Sequence, residues 1–284
     1  MHPSIPRFRA LIALAVLLAA GTGFGLLRPE PPAAELRMSG RTMGTTYNVK
    51  YRPTQHTPTL KALQIEVDAL LAKINHTMST YDQESELSRF NRLRTTDWVP
   101  ASASLHDVLK AALEIGAQSE GAFDITVGPL VNLWGFGPEI HPDHIPLERD
   151  IAAARARSGL DKVTLSETQP AMRKHRPDVF LDLSGIAKGY GVDQVAELMT
   201  AHGIEHYMVE IGGEIRVRGF KEQDTPWRIA IEKPLSGERS VQTMLALSDI
   251  ALATSGNYRN FFEIAGRRYS HTMIRPPAGR SRIT

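Results

Sequence analysis

Asp182-Leu-Ser-Gly-Ile-Ala-Lys-Gly-Tyr-Gly-Val-Asp193 is the stretch that decides the fold, because it places an acid, glycines and a lysine where an apolar run turns into a helix. Upstream, residues 179–183 alternate between aliphatic side chains and a face carrying Phe180 and Asp182, which predicts a strand. Downstream, apolar residues recur at three- and four-residue spacing and predict a helix over residues 192–202. The sequence therefore predicts a short buried strand, a Ser-Gly turn and a helix that buries one face.

The junction between this strand and this helix is a candidate phosphate site. Free backbone N–H groups at a helix start, together with the positive end of the helix dipole, suit a diphosphate. Lys188 is predicted to lie within the first turn. Neither the G-x-x-x-x-G-K-[ST] spacing nor the G-x-G-x-x-G spacing is present. On spacing alone, a ligand site and a capped structural helix with an extended surface lysine are both open interpretations.

The composition is that of an ordinary globular protein. The 284 residues are 42% hydrophobic and 23% charged, with a formal net charge of +2. Lysines and arginines do not gather into a basic patch, so we expect no nucleic acid partner. The absence of cysteine excludes disulfides, thiolate nucleophiles, iron–sulfur clusters, zinc–thiolate sites and a lipidated cysteine anchor.

The N-terminal residues 1–28 have the pattern of a secretory signal peptide or a signal anchor. Two arginines precede an apolar run over residues 10–20, and this basic flank predicts a cytoplasmic N-terminus. Cleavage of the signal and retention as a membrane tether are both open. Residues 29–40 are rich in proline and predict an extended linker. We therefore expect the body, residues 41–284, on the periplasmic side of a bacterial inner membrane, or in the periplasm after cleavage.

From residue 41 onwards the pattern is that of one domain containing helices and antiparallel strands. Gly212 and Gly213 mark a tight bend between two of the strands. Strand pairs that follow helices indicate an α+β architecture with largely antiparallel sheets flanked by helices. The predicted strands cover residues 46–51, 207–211, 214–218 and 227–231, and the other predicted helices cover residues 60–75 and 105–115.

Two polar segments suit the binding of a ring system, and each also has a structural interpretation. The hydroxyl-rich loop 76–82 includes Tyr81, which can stack on a flat heterocycle and donate a hydrogen bond. Ser, Thr and Asp also cap helices, however. The Gly- and Pro-rich loop 121–137 carries aromatic side chains such as Phe123 and Trp134, which either frame a ring system or pack in the core.

Histidines occur at two places of interest. His141 and His144 flank a proline and an aspartate within reach of a metal, but their Pro-rich surroundings favour a solvated loop. Residues 253–260 and 269–272 are rich in hydroxyl groups. His271, in the second of these segments, can act as a base near neutral pH.

Six segments, taken together in chain order, resemble the ApbE family of flavin transferases. They extend over nearly all of the body, from residue 41 to residue 271, so their order and coverage are far more specific than any single motif. The segments are R-T-M-G-T-T-Y from residue 41, M-S-T-Y-D-x-x-S-E-L-S-R-F-N from 78, G-A-F-D-I-T-V-G-P-L-V-N-L-W-G-F-G from 121, D-L-S-G-I-A-K-G-Y-G-V-D from 182, E-I-G-G-E-I-R from 210 and A-T-S-G-N-Y-R-N from 253.

The resemblance implies a T-fold-like α+β domain that binds FAD. With Mg2+, such a domain transfers the FMN moiety of FAD to a threonine of a target protein and releases AMP. The acceptors implied by the family are exported or membrane redox subunits. Two alternatives remain open: an FAD diphosphatase that yields FMN and AMP, and an exported flavin-binding protein without catalysis.

The resemblance also implies roles for individual residues. His271, or a carboxylate near it, would accept the proton of the acceptor threonine. The backbone carbonyl of Gly185 would bind Mg2+. The residues implied to contact FAD are Met43, Tyr81, Ala122, Phe123, Asp124, Asp182, Lys188 and Met273.

The C-terminal segment departs from the family's pattern. After residue 272 the family usually reads I-D-P-x-T-G-R and later supplies an Asp and a Thr to the Mg2+ site, whereas this chain reads Met273-Ile-Arg-Pro-Pro-Ala-Gly-Arg-Ser-Arg-Ile-Thr284. A methionine codon followed by an isoleucine codon contains the aspartate codon GAT in a shifted frame. We therefore expect a frameshifted, C-terminally incomplete domain with reduced stability and activity, which resequencing of the gene tests.

Overall fold

The compact body of the protein begins at Glu35 in the computed structural model. The predicted signal segment 1–28 and the histidine loop 141–144 lie outside the described residues. Strand Leu36–Thr42 occupies part of the segment that was predicted as a linker. Within the described part of the chain, no helix has the length and apolar character needed to cross a bilayer. The structure describes residues 34–138, 145–222, 224–235, 240–274 and 282–283.

Helices and strands alternate along the described residues. The helices are α1 Leu60–Met78, α2 Glu86–Arg92, α3 Ala103–Gln118, α4 Gly128–Leu133, α5 Glu148–Ala156 and α6 Ala187–Ala201, with a short 3-10 helix at Leu160–Lys162. The strands are β1 Leu36–Thr42, β2 Thr45–Tyr51, β3 Val99–Pro100, β4 Val163–Leu165, β5 Ala171–Lys174, β6 Tyr207–Ile211, β7 Glu214–Arg218, β8 Trp227–Glu232, β9 Val241–Leu247, β10 Ile250–Leu252, β11 Phe261–Ile264, β12 Arg267–Ser270, β13 Met273–Ile274 and β14 Arg282–Ile283.

A five-stranded antiparallel sheet in the order β1-β2-β6-β7-β10 forms the centre of the body. Helices α1 and α6 cover one face of this sheet, because both present apolar side chains at helical spacing. Tyr47 and Val49 of β2 pack there against Leu63 of α1 and Val195 of α6. The hairpin β8–β9 contributes to a separate apolar cluster with the sheet.

A second apolar core lies beside the first and supports the candidate site. It joins the end of α1 to α2, α3 and the three-stranded sheet β3-β5-β4. Ile125, Leu181 and Leu183 are also part of this core and are almost fully buried. They are sequence neighbours of Asp124 and Asp182, so the backbone around these two acids packs against the core.

The predicted fold class, α+β with largely antiparallel sheets, is confirmed. Strands β6 and β7 have the predicted bounds, and the tight bend between them has left-handed backbone at Gly212 (φ 57°) and Gly213 (φ 103°). Helix α1 extends to Met78, three residues beyond the prediction. Its buried stripe includes Val67, whereas Ile65 is 60% exposed although it is apolar.

The prediction of a strand at residues 179–183 is wrong. Val179, Leu181 and Leu183 are buried, as the alternation indicated. Their segment is nevertheless irregular, because its backbone hydrogen bonds go to the Asn91 side chain and the Ile125 carbonyl instead of a neighbouring strand. Helix α6 also begins five residues earlier than predicted.

Candidate active site

A cavity of about 1030 Å³ opens between three elements of the body. Its walls are the turn between β1 and β2, the end of α1 with the loop after it, and the start of α6. Three residues implied to contact FAD line it: Met43, Tyr81 and Lys188. The volume lies at the upper end of the roughly 300–1,000 Å³ that is typical of small-molecule sites, so it suits a large ligand.

The turn between β1 and β2 brings Met43 to the cavity. Met43 (φ 48°) and Gly44 (φ 71°) both have left-handed backbone, as a two-residue type I′ hairpin turn requires. Glycine adopts this conformation freely, whereas methionine rarely does. The end of the Met43 side chain lies next to Gly191 of α6, where a Cβ atom would come within 3.1 Å of Met43 Cε.

The start of α6 leaves backbone donors available to an anion. Ile186 precedes the helix, and no side chain among the described residues caps it. The first N–H groups of a helix lack intrahelical acceptors, and the dipole makes this end positive. Lys188 lies in the first turn of α6, and its Nζ is 2.9 Å from Glu214 Oε1 on β7. The ammonium of Lys188, with the Glu214 carboxylate beside it, and the start of α6 thus lie at one wall of the cavity.

Two aspartate turns lie side by side next to this helix start. Asp182 Oδ1 accepts hydrogen bonds from the backbone N–H (2.8 Å) and the hydroxyl (2.5 Å) of Ser184. Asp124 Oδ1 does the same for Thr126, at 2.8 and 2.6 Å. The Asp182 N–H donates to the Ile125 carbonyl at 2.8 Å and joins the two turns. Both turns follow the sequence D-x-[ST], in which a short side chain stabilises the local bend.

Gly185 lies against the aromatic ring of Phe123. A Cβ atom at Gly185 would be 3.0 Å from Phe123 Cε2, so the position has room for little more than glycine. Ala122, next to Phe123, is exposed. The structure therefore brings together Ala122, Phe123, Asp124, Asp182 and Gly185, and Ser184 connects this group to the cavity.

Tyr81 stands at the mouth of the cavity and is 64% exposed. Its hydroxyl donates to the Phe136 carbonyl at 3.3 Å. Although most of the residue is exposed, desolvation around the phenol, followed by the negative charge of Asp182, raises the pKa of Tyr81. The side chain remains a neutral hydrogen-bond donor at physiological pH and presents a flat ring to a ligand.

His271 is exposed and lies beside Phe136 of the 121–137 segment. Its Nδ1 is 3.2 Å from the Asn260 carbonyl, and its ring meets the Phe136 ring edge-on at 6.3 Å. A carbonyl oxygen can only accept, so Nδ1 carries the hydrogen and Nε2 is left with a lone pair that can accept a proton. Phe136 thus connects His271 with Tyr81.

Met273 belongs to a separate apolar cluster, together with Trp134 and Phe136 of the 121–137 segment. Trp134 stacks on Tyr269, and Met273 packs against their cluster. Trp134 is buried, so for this residue the packing interpretation is the correct one. The segment also contains helix α4, where the sequence predicted only a loop.

Several residues of the site were not singled out from the sequence. Arg41 and Asn75 line the cavity, and Glu214 positions Lys188. Arg41 and Glu214 belong to two of the six segments that resemble the ApbE family, and this membership is the sequence signal that points to them. Among the described residues, no group of three or more His, Cys, Asp or Glu side chains could hold a metal ion.

Comparison with known proteins identifies the family. The model of the ApbE family matches residues 43–282. An FAD:protein FMN transferase of Vibrio cholerae is 49% identical over 95% of this chain and 78% of its own length, and one of Haemophilus influenzae is 43% identical over 90% and 76%. The solved structure of flavin transferase ApbE from Vibrio cholerae superimposes with a TM-score of 0.78 at 48% identity, covering 86% of this chain and 77% of that one. An apbe protein from Thermotoga maritima gives a TM-score of 0.76 at 27% identity, covering 84% and 75%.

Proposed function

Because the chain belongs to the ApbE family, whose relatives are FAD:protein FMN transferases, we propose that it transfers the FMN moiety of FAD to a threonine of a partner protein and releases AMP. The observation that carries this proposal is the convergence of Met43, Tyr81 and the Lys188 end of α6 on one cavity. Together they offer a flat ring, a cation and free backbone donors, which match the ring and diphosphate of FAD.

The transfer is a displacement at phosphorus. The threonine hydroxyl attacks the phosphorus on the FMN side of the diphosphate, an O–P bond forms, and the bond to the bridging oxygen breaks. AMP leaves with the electron pair of that bond, and the threonine proton passes to Nε2 of His271. Such reactions need little covalent help from a protein and depend mainly on positioning and charge.

Lys188 and the start of α6 supply the charge for this step. The diphosphate is held by the ammonium and the backbone N–H groups while negative charge shifts toward the leaving AMP. Tyr81 presents its aromatic ring to a flat part of FAD, and the Phe123 ring packs against Gly185 beside the cavity. The Asp182 and Asp124 turns hold the backbone beside the diphosphate, and Met43 closes the cavity from the hairpin.

Mg2+ dependence is part of the proposal through the family resemblance, with the Gly185 carbonyl as one ligand. Mg2+ requires near-octahedral oxygen coordination, and the described residues alone do not provide a matching set of carboxylates. We expect excess EDTA to abolish covalent transfer and added Mg2+ to restore it. Undiminished transfer in EDTA would contradict the metal requirement.

The partners and the location follow from the resemblance and from the N-terminal pattern. We propose acceptors among exported or membrane redox subunits, and a body on the periplasmic side of the inner membrane or free in the periplasm. The basic and apolar character of residues 1–28 supports this location. Fusion of alkaline phosphatase to the C-terminus tests it, because that reporter is active only after export. An inactive but intact fusion would contradict the location.

The activity is tested by incubating the purified chain with FAD, Mg2+ and an acceptor domain that carries the target threonine. A transferase produces a fluorescent covalent flavin band on the acceptor in a denaturing gel. An acceptor with that threonine changed to alanine is the matched control and stays dark. Free FMN with AMP and no labelled acceptor indicates a diphosphatase, and unchanged bound FAD indicates a non-catalytic flavin-binding protein. Either result would contradict the proposal.

A further inference from the structure

Asn91 is a buried polar residue whose side chain bonds the backbone beneath the site. It lies in the last turn of α2 and is 8% exposed. Its Nδ2 donates to the Leu181 carbonyl at 2.8 Å, and its Oδ1 accepts from the Leu181 N–H at 2.8 Å. The Asn91 amide thus satisfies both backbone groups of Leu181, as a neighbouring strand would.

Lys174 fixes the helix end that carries Asn91. Its side chain is almost fully buried, and its Nζ donates to the carbonyls of Asn91 (3.2 Å) and Leu93 (2.8 Å). The ammonium also lies 4.9 Å from the centre of the Phe90 ring. Carbonyls at a helix C-terminus lack intrahelical donors, so this lysine satisfies two groups that would otherwise be buried without partners.

Leu181 is followed directly by an acid of the candidate site. The Asp182 N–H donates to the Ile125 carbonyl, and its carboxylate forms the turn with Ser184 that leads through Gly185 into α6. The segment has no strand partner to fix it. The position of Leu181, together with the Asp182–Ile125 hydrogen bond and the buried Leu183, therefore helps to fix where Asp182 and the start of α6 lie.

We propose that Asn91 is a positioning residue for flavin transfer, which acts by clamping Leu181 and thereby holding Asp182 and the turn into α6 in register with the cavity. Asn91 does not line the cavity, so it acts only through the backbone. The inference rests on the proposed function, because this positioning matters only if the cavity binds FAD. Small displacements of groups that orient a reacting ligand have large effects on rate.

Two substitutions of Asn91 and one control substitution distinguish the loss of the Asn91–Leu181 hydrogen bonds from a general loss of stability. Asn91→Leu keeps a similar volume and removes both hydrogen bonds. Asn91→Asp keeps an acceptor for the Leu181 N–H and loses the donor to the Leu181 carbonyl. Ile229→Ala is the matched control, because Ile229 is buried in the separate cluster around β8. For each variant the dissociation constant for FAD, KM, kcat and the free energy of unfolding are measured.

We expect Asn91→Leu to raise the dissociation constant for FAD about tenfold or more, or to lower kcat/KM by that factor. Asn91→Asp should also be impaired, because it places a carboxylate oxygen against the Leu181 carbonyl oxygen. Ile229→Ala should lose stability and keep native FAD binding. If Asn91→Leu and Ile229→Ala lose comparable stability, and Asn91→Leu keeps both native FAD binding and native kcat/KM, the positioning role is contradicted.

Hydrogen exchange of the native chain tests the clamp without any substitution. The Leu181 amide should be protected to the same extent as amides of β6, although it belongs to no strand. Rapid exchange of this amide would overturn the proposal even if neither Asn91 variant folds. Failure of the native chain to bind FAD would instead contradict the proposed function itself, so the two failures are distinguishable.

Discussion

Lys188, like Arg41, is a cationic side chain that lines the cavity. It lies in the first turn of α6, lines the cavity and is held by Glu214 at 2.9 Å. The helix dipole and the ammonium act on a bound diphosphate in the same direction, since both favour negative charge at this place.

Replacing this lysine should weaken FAD binding. A hydrogen bond to a charged group contributes about 1.5–3 kcal/mol, so Lys188→Met should raise the dissociation constant for FAD about 10- to 100-fold. Titration of FAD fluorescence measures this. Lys110→Met, at an exposed position on α3, is the control and should bind as the native chain does. Native affinity in Lys188→Met would contradict the diphosphate assignment.

His271 is expected to affect the chemical step and not binding. Its Nδ1 is engaged by the Asn260 carbonyl, which leaves Nε2 to accept a proton. His271→Gln should lower kcat about 100-fold, as is typical for loss of a general base, with FAD affinity unchanged. Single-turnover transfer kinetics measure this, with His56→Gln, on an exposed loop, as the control. Native kcat in His271→Gln would remove His271 from the mechanism.

At the scale of elements, the irregular segment 179–183 shows what the sequence could and could not predict. Alternating aliphatic residues revealed its burial correctly, because burial follows side-chain polarity. Hydrogen-bond partners depend on the tertiary fold, and Asn91 and Ile125 are 90 and 57 positions away from their partners Leu181 and Asp182. No local pattern identifies them.

The start of α6 was missed for a related reason. Gly189 and Gly191 resemble turn residues in sequence, because glycine lowers helix propensity. Gly191 is instead required inside the helix by close packing, since a Cβ there would lie 3.1 Å from Met43 Cε and 3.2 Å from Ile211 Cδ1. The motif resemblance implies FAD contacts for Met43, Tyr81 and Lys188, and these three residues line one cavity, whereas periodicity alone did not group them.

In the β1–β2 hairpin, one substitution of Met43 tests the turn geometry separately from the contact with the ligand. Asn followed by Gly is the preferred pair for a type I′ turn, so Met43→Asn should retain or slightly raise the free energy of unfolding. The same change removes the Met43 side chain from the cavity and should raise the KM for FAD. Thermal unfolding and initial rates measure the two effects. A parallel fall in stability and affinity would show that Met43 acts only through packing.

At the scale of the whole molecule, two buried titratable groups should make large contributions to the pH dependence of stability at alkaline pH. Burial lowers the pKa of Lys174 to about 8, from 10.5, and burial together with the Asp68 hydrogen bond raises the pKa of Tyr47 to about 12, from 10.0. From pH 8 to 10 the unfolded chain binds more protons at Lys174, so stability rises with pH. Above pH 10 the folded chain retains the Tyr47 proton that the unfolded chain loses, so stability falls.

Each of these contributions should amount to roughly 3 kcal/mol across its full range. Urea unfolding at stepped pH values measures them. Lys174→Met should remove the rise between pH 8 and 10, and Tyr47→Phe should reduce the fall above pH 10. Part of that fall should remain, because the pKa values of Tyr51, Tyr81 and Tyr190 are also raised. A rise that persists in Lys174→Met would assign it to another group.

The fold and the site together predict a covalent product, and intact-mass spectrometry of the acceptor tests this most directly. After incubation of the native chain with FAD, Mg2+ and a threonine-bearing acceptor, the acceptor should gain the mass of one FMN less one water. One AMP should appear for each acceptor modified, and Lys188→Met should yield much less of both. An acceptor of unchanged mass, with FAD intact or with FMN released free into solution, would contradict the assignment as a flavin transferase.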